Sequence, residues 1–271
     1  MKRLVKVLLY VAAFVLFLYV NNNLLGTTEY TIESERLPKS FDGFRIVQVS
    51  DLHDATFGEG QRRLVEKIRE AEPDAVFLTG DLIDSRRYNL QNSLDAVQKL
   101  VEFADVYYVL GNHEVAVNEV DEIYMALERL GVHILPNQSL EIERDGERLA
   151  IIGIEDPLMG REVGEMLGEA MTGLDEDVYK ILLSHRPEEF KEYVENRLDV
   201  VFTGHAHGGQ VRLPFIGGLV APGQGWLPTY TSGMHEESET RMLVSRGLGN
   251  SLVQQRLFNP PELIVVELKA K

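Results

Sequence analysis

Cysteine is absent from the 271 residues, so disulfides, thiolate metal ligands and a cysteine nucleophile are all excluded. The redox compartment stays open on that count, because exported and cytosolic chains alike can do without cysteine. Positive charge is scarce too: 27 Lys and Arg stand against 43 Asp and Glu, a net charge of −16. Lys2, Arg3 and Lys6 precede residue 21 and no acid does, so the remaining chain carries 24 cations against 43 acids, −19 net. A surface that acidic repels phosphate backbones, and nucleic acid is not an expected partner. An anionic substrate would need a local cation, which a bound metal supplies. Low-complexity segments, fixed-period repeats and linkers are missing from residues 41–271. With 44% hydrophobic and 26% charged residues the composition is globular, which excludes a collagen-like fibre, a disordered tail and a multi-pass membrane protein.

The long apolar run lies at the start. Leu4 to Val20 is apolar except for Lys6, and polar Asn21-Asn22-Asn23 follows. Seventeen helical residues span roughly 25 Å, slightly short of a hydrocarbon core of about 30 Å, and Leu24 and Leu25 extend the run. A cleavable signal peptide is the rival reading, but cleavage needs small residues after the run and Tyr19-Val20-Asn21-Asn22-Asn23 offers none. An uncleaved single-pass membrane anchor over residues 1–26 is therefore expected, followed by a polar connector over 27–40 with an edge strand near Thr28–Ile32. The basic flank predicts a cytoplasmic N-terminus and a domain over 41–271 outside the cytoplasm.

In that domain short β-branched runs alternate with amphipathic helical patterns. Strands are predicted at Arg45–Val49, Ala75–Thr79, Val106–Leu110, Leu149–Ile154, Lys180–Leu183, Val200–Thr203 and Leu263–Leu268. Helical spacing recurs in Leu64, Val65, Ile68 and Ala71, in Leu90, Leu94, Val97 and Val101, and in Val120, Ile123, Tyr124, Leu127 and Leu130. Pro73 stops the first of these helices and Gly131 caps the third. Pro187 opens a fourth, faced by Phe190, Tyr193 and Val194. The alternation argues an α/β fold, and the Gly- and Pro-rich texture after Gly204 argues an antiparallel continuation.

Five predicted strands run into polar residues of one chemical kind: Asp51-Leu52-His53, Gly80-Asp81-Leu82-Ile83-Asp84, Gly111-Asn112-His113-Glu114, Ser184-His185 and Gly204-His205-Ala206-His207. In open α/β sheets ligands bind outside the carboxyl ends of the strands. A lone Asp there is usually a turn or helix cap, and a lone His is usually structural. Asp-x-His and His-x-His gain meaning because period two along an extended segment points both side chains one way. Five such coincidences make a metal site the expected reading. Its donors are nitrogen and oxygen without sulfur, which suits Mn, Fe, Zn, Co or Ni. They exceed one tetrahedral site and divide between two ions sharing a carboxylate, a device suited to displacement at phosphorus.

Together these motifs resemble the signature of the calcineurin-like metallophosphoesterases, in that family's order. The segments Pro222–Gly225, Tyr230–Gly233, Arg246–Asn250 and Asn259–Glu262 resemble a membrane-associated bacterial branch, similar to phosphodiesterases and to relatives acting on UDP-diacylglucosamine. The resemblance implies a four-layer α/β/β/α sandwich with two mixed sheets behind the transmembrane helix. It implies two divalent metal ions (Mn, Fe or Zn): Asp51, His53 and His207 on one, Asn112, His185 and His205 on the other, with Asp81 and a hydroxide bridging them. It gives that hydroxide the in-line attack, gives His113 the phosphate contact or leaving-group protonation, and gives Asp84 the orientation of a metal-bound His. The implied activity is phosphoester hydrolysis, of a phosphodiester or pyrophosphate in a lipid-linked or nucleotide-sugar substrate. A non-catalytic metal-dependent scaffold and an exported nuclease are the alternatives.

Ser85-Arg86-Arg87 replaces the Arg-Gly of the protein-phosphatase branch, against that specificity, and reads as a solvated pair at a helix start. His133 and His235 fit no motif and read as structural. Glu155-Asp156-Pro157 reads as a site rim or a turn, and Trp226 as a loop anchor.

Overall fold

The computed structural model describes residues 2–251 and 253–271; Met1, where the expected anchor begins, and Leu252, inside the expected 41–271 domain, lie outside the described residues. The chain opens with α1 (Lys2–Asn23), β1 (Gly26–Ser34), β2 (Arg45–Val49), α2 (Arg62–Glu70), β3 (Ala75–Thr79), α3 (Leu90–Leu100) and β4 (Asp105–Val109). Then come α4 (Asn112–Val117), α5 (Val120–Arg129), β5 (His133–Ile134), β6 (Gln138–Arg144), β7 (Glu147–Gly153), α6 (Val163–Ala170), β8 (Tyr179–Leu183), α7 (Phe190–Glu195) and β9 (Val200–Thr203). The last part holds β10 (Arg212–Leu213), β11 (Gly217–Gly218), β12 (Val220–Ala221), β13 (Gly225–Trp226), β14 (Gly233–Glu237), β15 (Thr240–Val244) and β16 (Glu262–Ala270).

Two six-stranded sheets form, in the orders β1-β16-β2-β3-β4-β5 and β14-β15-β9-β8-β7-β6. Both are mixed: β2, β3, β4 and β5 run parallel while β16 is antiparallel to β2, and β7, β8, β9 and β15 run parallel while β6 and β14 are antiparallel edges. Alternation along each strand sorts side chains between layers. Ile46, Phe77, Tyr107, Ile151, Ile181, Phe202 and Val266 fill the space between the sheets. Val47, Val49, Val76, Leu78 and Tyr108 point the other way, against α2, α3 and α5 through Leu64, Ile68, Val97 and Ile123. Ile152, Leu182 and Val201 meet α6 and α7 through Met166, Leu167, Phe190 and Tyr193. The result is the expected α/β/β/α sandwich.

The segment expected as a connector holds more structure than its polar composition suggests. β1 runs nine residues, parallel to β16 from Gly26↔Glu262 to Ser34↔Ala270, and Ile32 enters the inter-sheet core. Leu25, expected as an extension of the membrane run, is buried among the helix-side core residues. α1 has 22 residues, is long and apolar enough to cross a membrane, and exposes its apolar side chains from Leu4 to Val20 apart from half-buried Phe17 and Leu18. At about 1.5 Å per residue it reaches about 33 Å.

Candidate metal centre

The polar residues that follow β2, β3, β4, β8 and β9 converge where the carboxyl ends of the two sheets meet. Two groups of ligand atoms form there. Asp51, His53, Asp81 and His207 make one, and Asp81, His185 and His205 make the other, each with its atoms within 4.8 Å of one another. All six residues are buried. Asp81 belongs to both: its Oδ2 lies 3.5 Å from His53 Nε2 and 3.2 Å from His185 Nε2. His207 Nε2 is 3.4 Å from Asp51 Oδ1 and 3.1 Å from His53 Nε2.

The local geometry differs from the extended segments that the Asp-x-His and His-x-His spacing suggests. Asp51, His53, Asp81, His205 and His207 all have positive φ, between 46° and 63°. Their side chains therefore converge through tight left-handed turns, not through the pleat of a strand. Such backbone costs about 1 kcal/mol or more per non-glycine residue, and it clusters here at one site. Glycine gives the turns room: a Cβ on Gly204 would sit 2.0 Å from Ser50 Oγ and 2.4 Å from Asp51 Oδ2, and one on Gly111 would sit 2.4 Å from Asp81 Oδ1. The backbone N–H of His205 donates to Asp51 at 3.0 Å, and that of His113 to Asp81 Oδ1 at 2.8 Å.

Hydrogen bonds on the outer side fix ring orientation. His185 Nδ1–H donates to the Thr79 carbonyl at 2.8 Å, which leaves Nε2 free toward Asp81. Among the described residues, Nε2 of His185 and Oδ1 of Asn112 are buried atoms without a hydrogen-bond partner. Orphan polar atoms of this kind are costly unless something outside the chain satisfies them. Asn112 opens α4 and lines, with Asp81, His113, His205 and His207, a cavity of about 340 Å³ whose other walls include Val220, Ala221, Pro222 and Val253.

Charge is frustrated at the centre. Burial lowers His53 to about 4 and holds His205 and His207 well below the usual imidazole range. Burial also pushes Asp51 up to about 6 and, with help from Asp81, Glu114 up to about 7. At His185 burial opposes the charged ring, but the neighbouring Asp81 carboxylate outweighs it and raises the pKa to about 10. For Asp81 burial is again outweighed, and His185 holds the carboxyl well below its usual range. Three imidazoles held neutral by burial, His53, His205 and His207, beside the carboxylates of Asp51 and Asp81 make an environment suited to cations.

His113 lies beside the two groups, its ring 4.4 Å from that of His53. Ser85 N–H donates to His113 Nδ1 at 2.9 Å, so a neutral ring carries its proton on Nε2, 3.2 Å from Ser251 Oγ. Asp84 departs from its expected task. It touches none of the clustered histidines; its carboxylate accepts from Arg86 N and from Arg87, and its Oδ1 stands 4.0 Å from His113. Glu114 accepts from the N–H groups of Asp81, Ile83 and Gly111, fastening the two loops together. Arg186 was not singled out by the sequence. It makes a two-bond pair with buried Asp156 at 2.6 and 2.8 Å and reaches His205 Nε2 at 2.8 Å, so Glu155-Asp156-Pro157 supports the site from behind. The signal available was its position directly after His185.

The remaining residues stand apart. His133 stacks on Tyr107, and His235 meets the Tyr230 ring and the Ser232 carbonyl. Arg86 is exposed, and Arg87 also donates to the Asn250 carbonyl. Trp226 is 80% exposed, so it does not anchor its loop: a two-residue pairing of β12 with β13 leaves the indole nothing to pack on.

Comparison with known proteins agrees with this geometry. The family model described as calcineurin-like phosphoesterase matches residues 44–209. The metallophosphoesterase YkuE of Bacillus subtilis is 31% identical over 259 residues, covering 93% of this chain and 88% of its own. Phosphodiesterase YaeI of Escherichia coli is 27% identical over 231 residues, covering 83% and 82%. Among solved structures, phosphopantetheinyl hydrolase from Mycobacterium tuberculosis superposes with a TM-score of 0.51 at 12% identity, over 80% of this chain and 96% of that one, a likeness of fold.

Proposed function

The chain belongs to the calcineurin-like phosphoesterases and is a hydrolase of phosphoester bonds; from that premise we propose a two-metal enzyme that cuts a phosphodiester or pyrophosphate in a membrane-linked or nucleotide-sugar substrate. The observation that carries this reading is the pair of ligand groups meeting at Asp81 on a cavity wall. Asp51, His53 and His207 would hold one divalent ion, and Asn112, His185 and His205 the other, with Asp81 shared. The orphaned Asn112 Oδ1 and His185 Nε2 fit that assignment, and the nitrogen and oxygen donors suit Mn, Fe or Zn. When bound, two such ions supply positive charge to phosphate oxygens and lower the pKa of water at neutral pH.

The chain's own residues supply position and a hydrogen bond. His113, with its proton on Nε2, would hydrogen-bond the oxygen that leaves phosphorus, and Ser85 N–H on Nδ1 fixes the ring in that tautomer. The apolar walls formed by Val220, Pro222 and Val253 suit a substrate whose phosphate carries an apolar or bulky organic group. α1 is read as an uncleaved span with Lys2, Arg3 and Lys6 on the cytoplasmic side, which puts both sheets and the site outside.

The test uses the full chain in detergent, reconstituted with Mn²⁺ or Zn²⁺. Two ions per chain and turnover of bis-p-nitrophenyl phosphate are expected. His113→Ala is expected to lower kcat by about 10²- to 10⁴-fold with both ions retained. Fewer than two ions, together with no turnover of mono- or diester, overturns the reading.

A further inference from the structure

The segment between the site and β14 presents apolar side chains to solvent on purpose-made turns. Phe215 and Ile216 form the tip of the β10–β11 hairpin, and Trp226 and Leu227 end the β12–β13 pair. All four are exposed, Phe215 completely. Phe215 and Leu227 have φ of 69° and 51°, backbone that favours glycine or asparagine. The chain thus keeps a large apolar residue where the backbone opposes it and where the fold offers no burial in return. The segment also carries no acid of its own, although the Glu188 carboxylate lies against Gly223. Val200 to His235 contains no Asp or Glu, in a chain where 43 of 271 residues are acidic.

The same segment is joined to α1. Val211 bridges to Leu257, and Arg212 N–H donates to the Leu257 carbonyl at 3.0 Å. Next to it, the Phe258 ring meets Phe17 of α1 at 5.1 Å, Arg256 N–H donates to Asn22 at 2.7 Å, and Gln255 donates to the Leu18 carbonyl at 3.0 Å. The base of the β10–β11 hairpin, the exposed Phe258 and the last turns of α1 are therefore tied together. Val220, Ala221 and Pro222, which wall the cavity, lie between the two tips in sequence.

We propose that Phe215, Ile216, Trp226 and Leu227 dip into the headgroup–acyl boundary of the bilayer that α1 crosses, so that the cavity mouth opens at the membrane surface. This rests on the reading of α1 as a membrane span. The occupant of the apolar rim is lipid: aromatic-tipped turns on a segment without acids of its own, tied to an apolar helix, have the composition of interfacial contacts.

Trp226 is the sole tryptophan, which makes its fluorescence a reporter of this rim alone. The full chain is reconstituted into phosphatidylcholine vesicles, with and without lipids carrying a quencher high on the acyl chain, and floated on a density gradient. The expected result is that the chain floats, that labelled lipid quenches at least half of the emission, and that aqueous acrylamide quenches it several-fold less than free tryptophan. A chain that floats while Trp226 ignores labelled lipid and is quenched by acrylamide like free tryptophan overturns the rim and leaves the span standing. A chain that stays in the dense fraction overturns span and rim together.

Discussion

At the scale of single residues, the centre is defined by what each atom lacks. Asn112 Oδ1 has no partner among the described residues, so Asn112→Ala is expected to remove one ion from two while leaving the first group occupied. Metal content by elemental analysis checks this, with an expected loss of about 10- to 100-fold in affinity at the second position. His185 makes a pH prediction. Its folded pKa of about 10 lies above the ordinary imidazole value of 6.5, so the stability it contributes is present below that value and lost as pH rises toward 10. The metal-free chain should therefore lose unfolding midpoint between pH 7 and 10, and saturating Mn²⁺, which requires a neutral ring, should flatten that slope. A thermal unfolding series at fixed ionic strength, with chelator or metal, decides it. The candidate ligands were legible because each follows a buried strand. Ser251 and Arg186 were not, since Ser251 meets His113 across 138 residues of chain and nothing local marks that contact.

Elements were legible to the degree that burial was two-sided. β3 and β9 stand where their apolar runs mark them, because both faces of each are covered. β6 escaped notice, its burial alternating between exposed and intermediate at a sheet edge. α6 also escaped: Val163, Met166, Leu167 and Ala170 keep helical spacing, but Gly164 and Gly168 weaken the helical signal. The inter-sheet layer binds the elements into one body. Phe77 of β3 packs edge-on against Tyr107 of β4 at 5.6 Å and Phe202 of β9 at 5.1 Å, joining both sheets directly beneath the site. Phe77→Ala should cost about 3–5 kcal/mol, read as a lower urea midpoint with unchanged slope. An unchanged midpoint would show that the two sheets do not depend on this contact.

For the whole molecule the governing fact is that first and last strands are neighbours. β16 lies between β1 and β2, and among the described residues β1 pairs with no other strand. Truncation before Glu262 should therefore abolish the cooperative unfolding transition, measured by circular dichroism, although every candidate ligand is still encoded. Synthesis runs the other way along this dependence. Residues 26–34 leave the ribosome early, immediately behind an apolar helix, and wait as an unpaired edge until residues 262–270 follow. The first sheet is completed only after residues 262–270 have been made, whatever the second sheet has already done. An interrupted chain would carry all its candidate ligands and two open sheet edges, and open edges invite aggregation long before the site could be used.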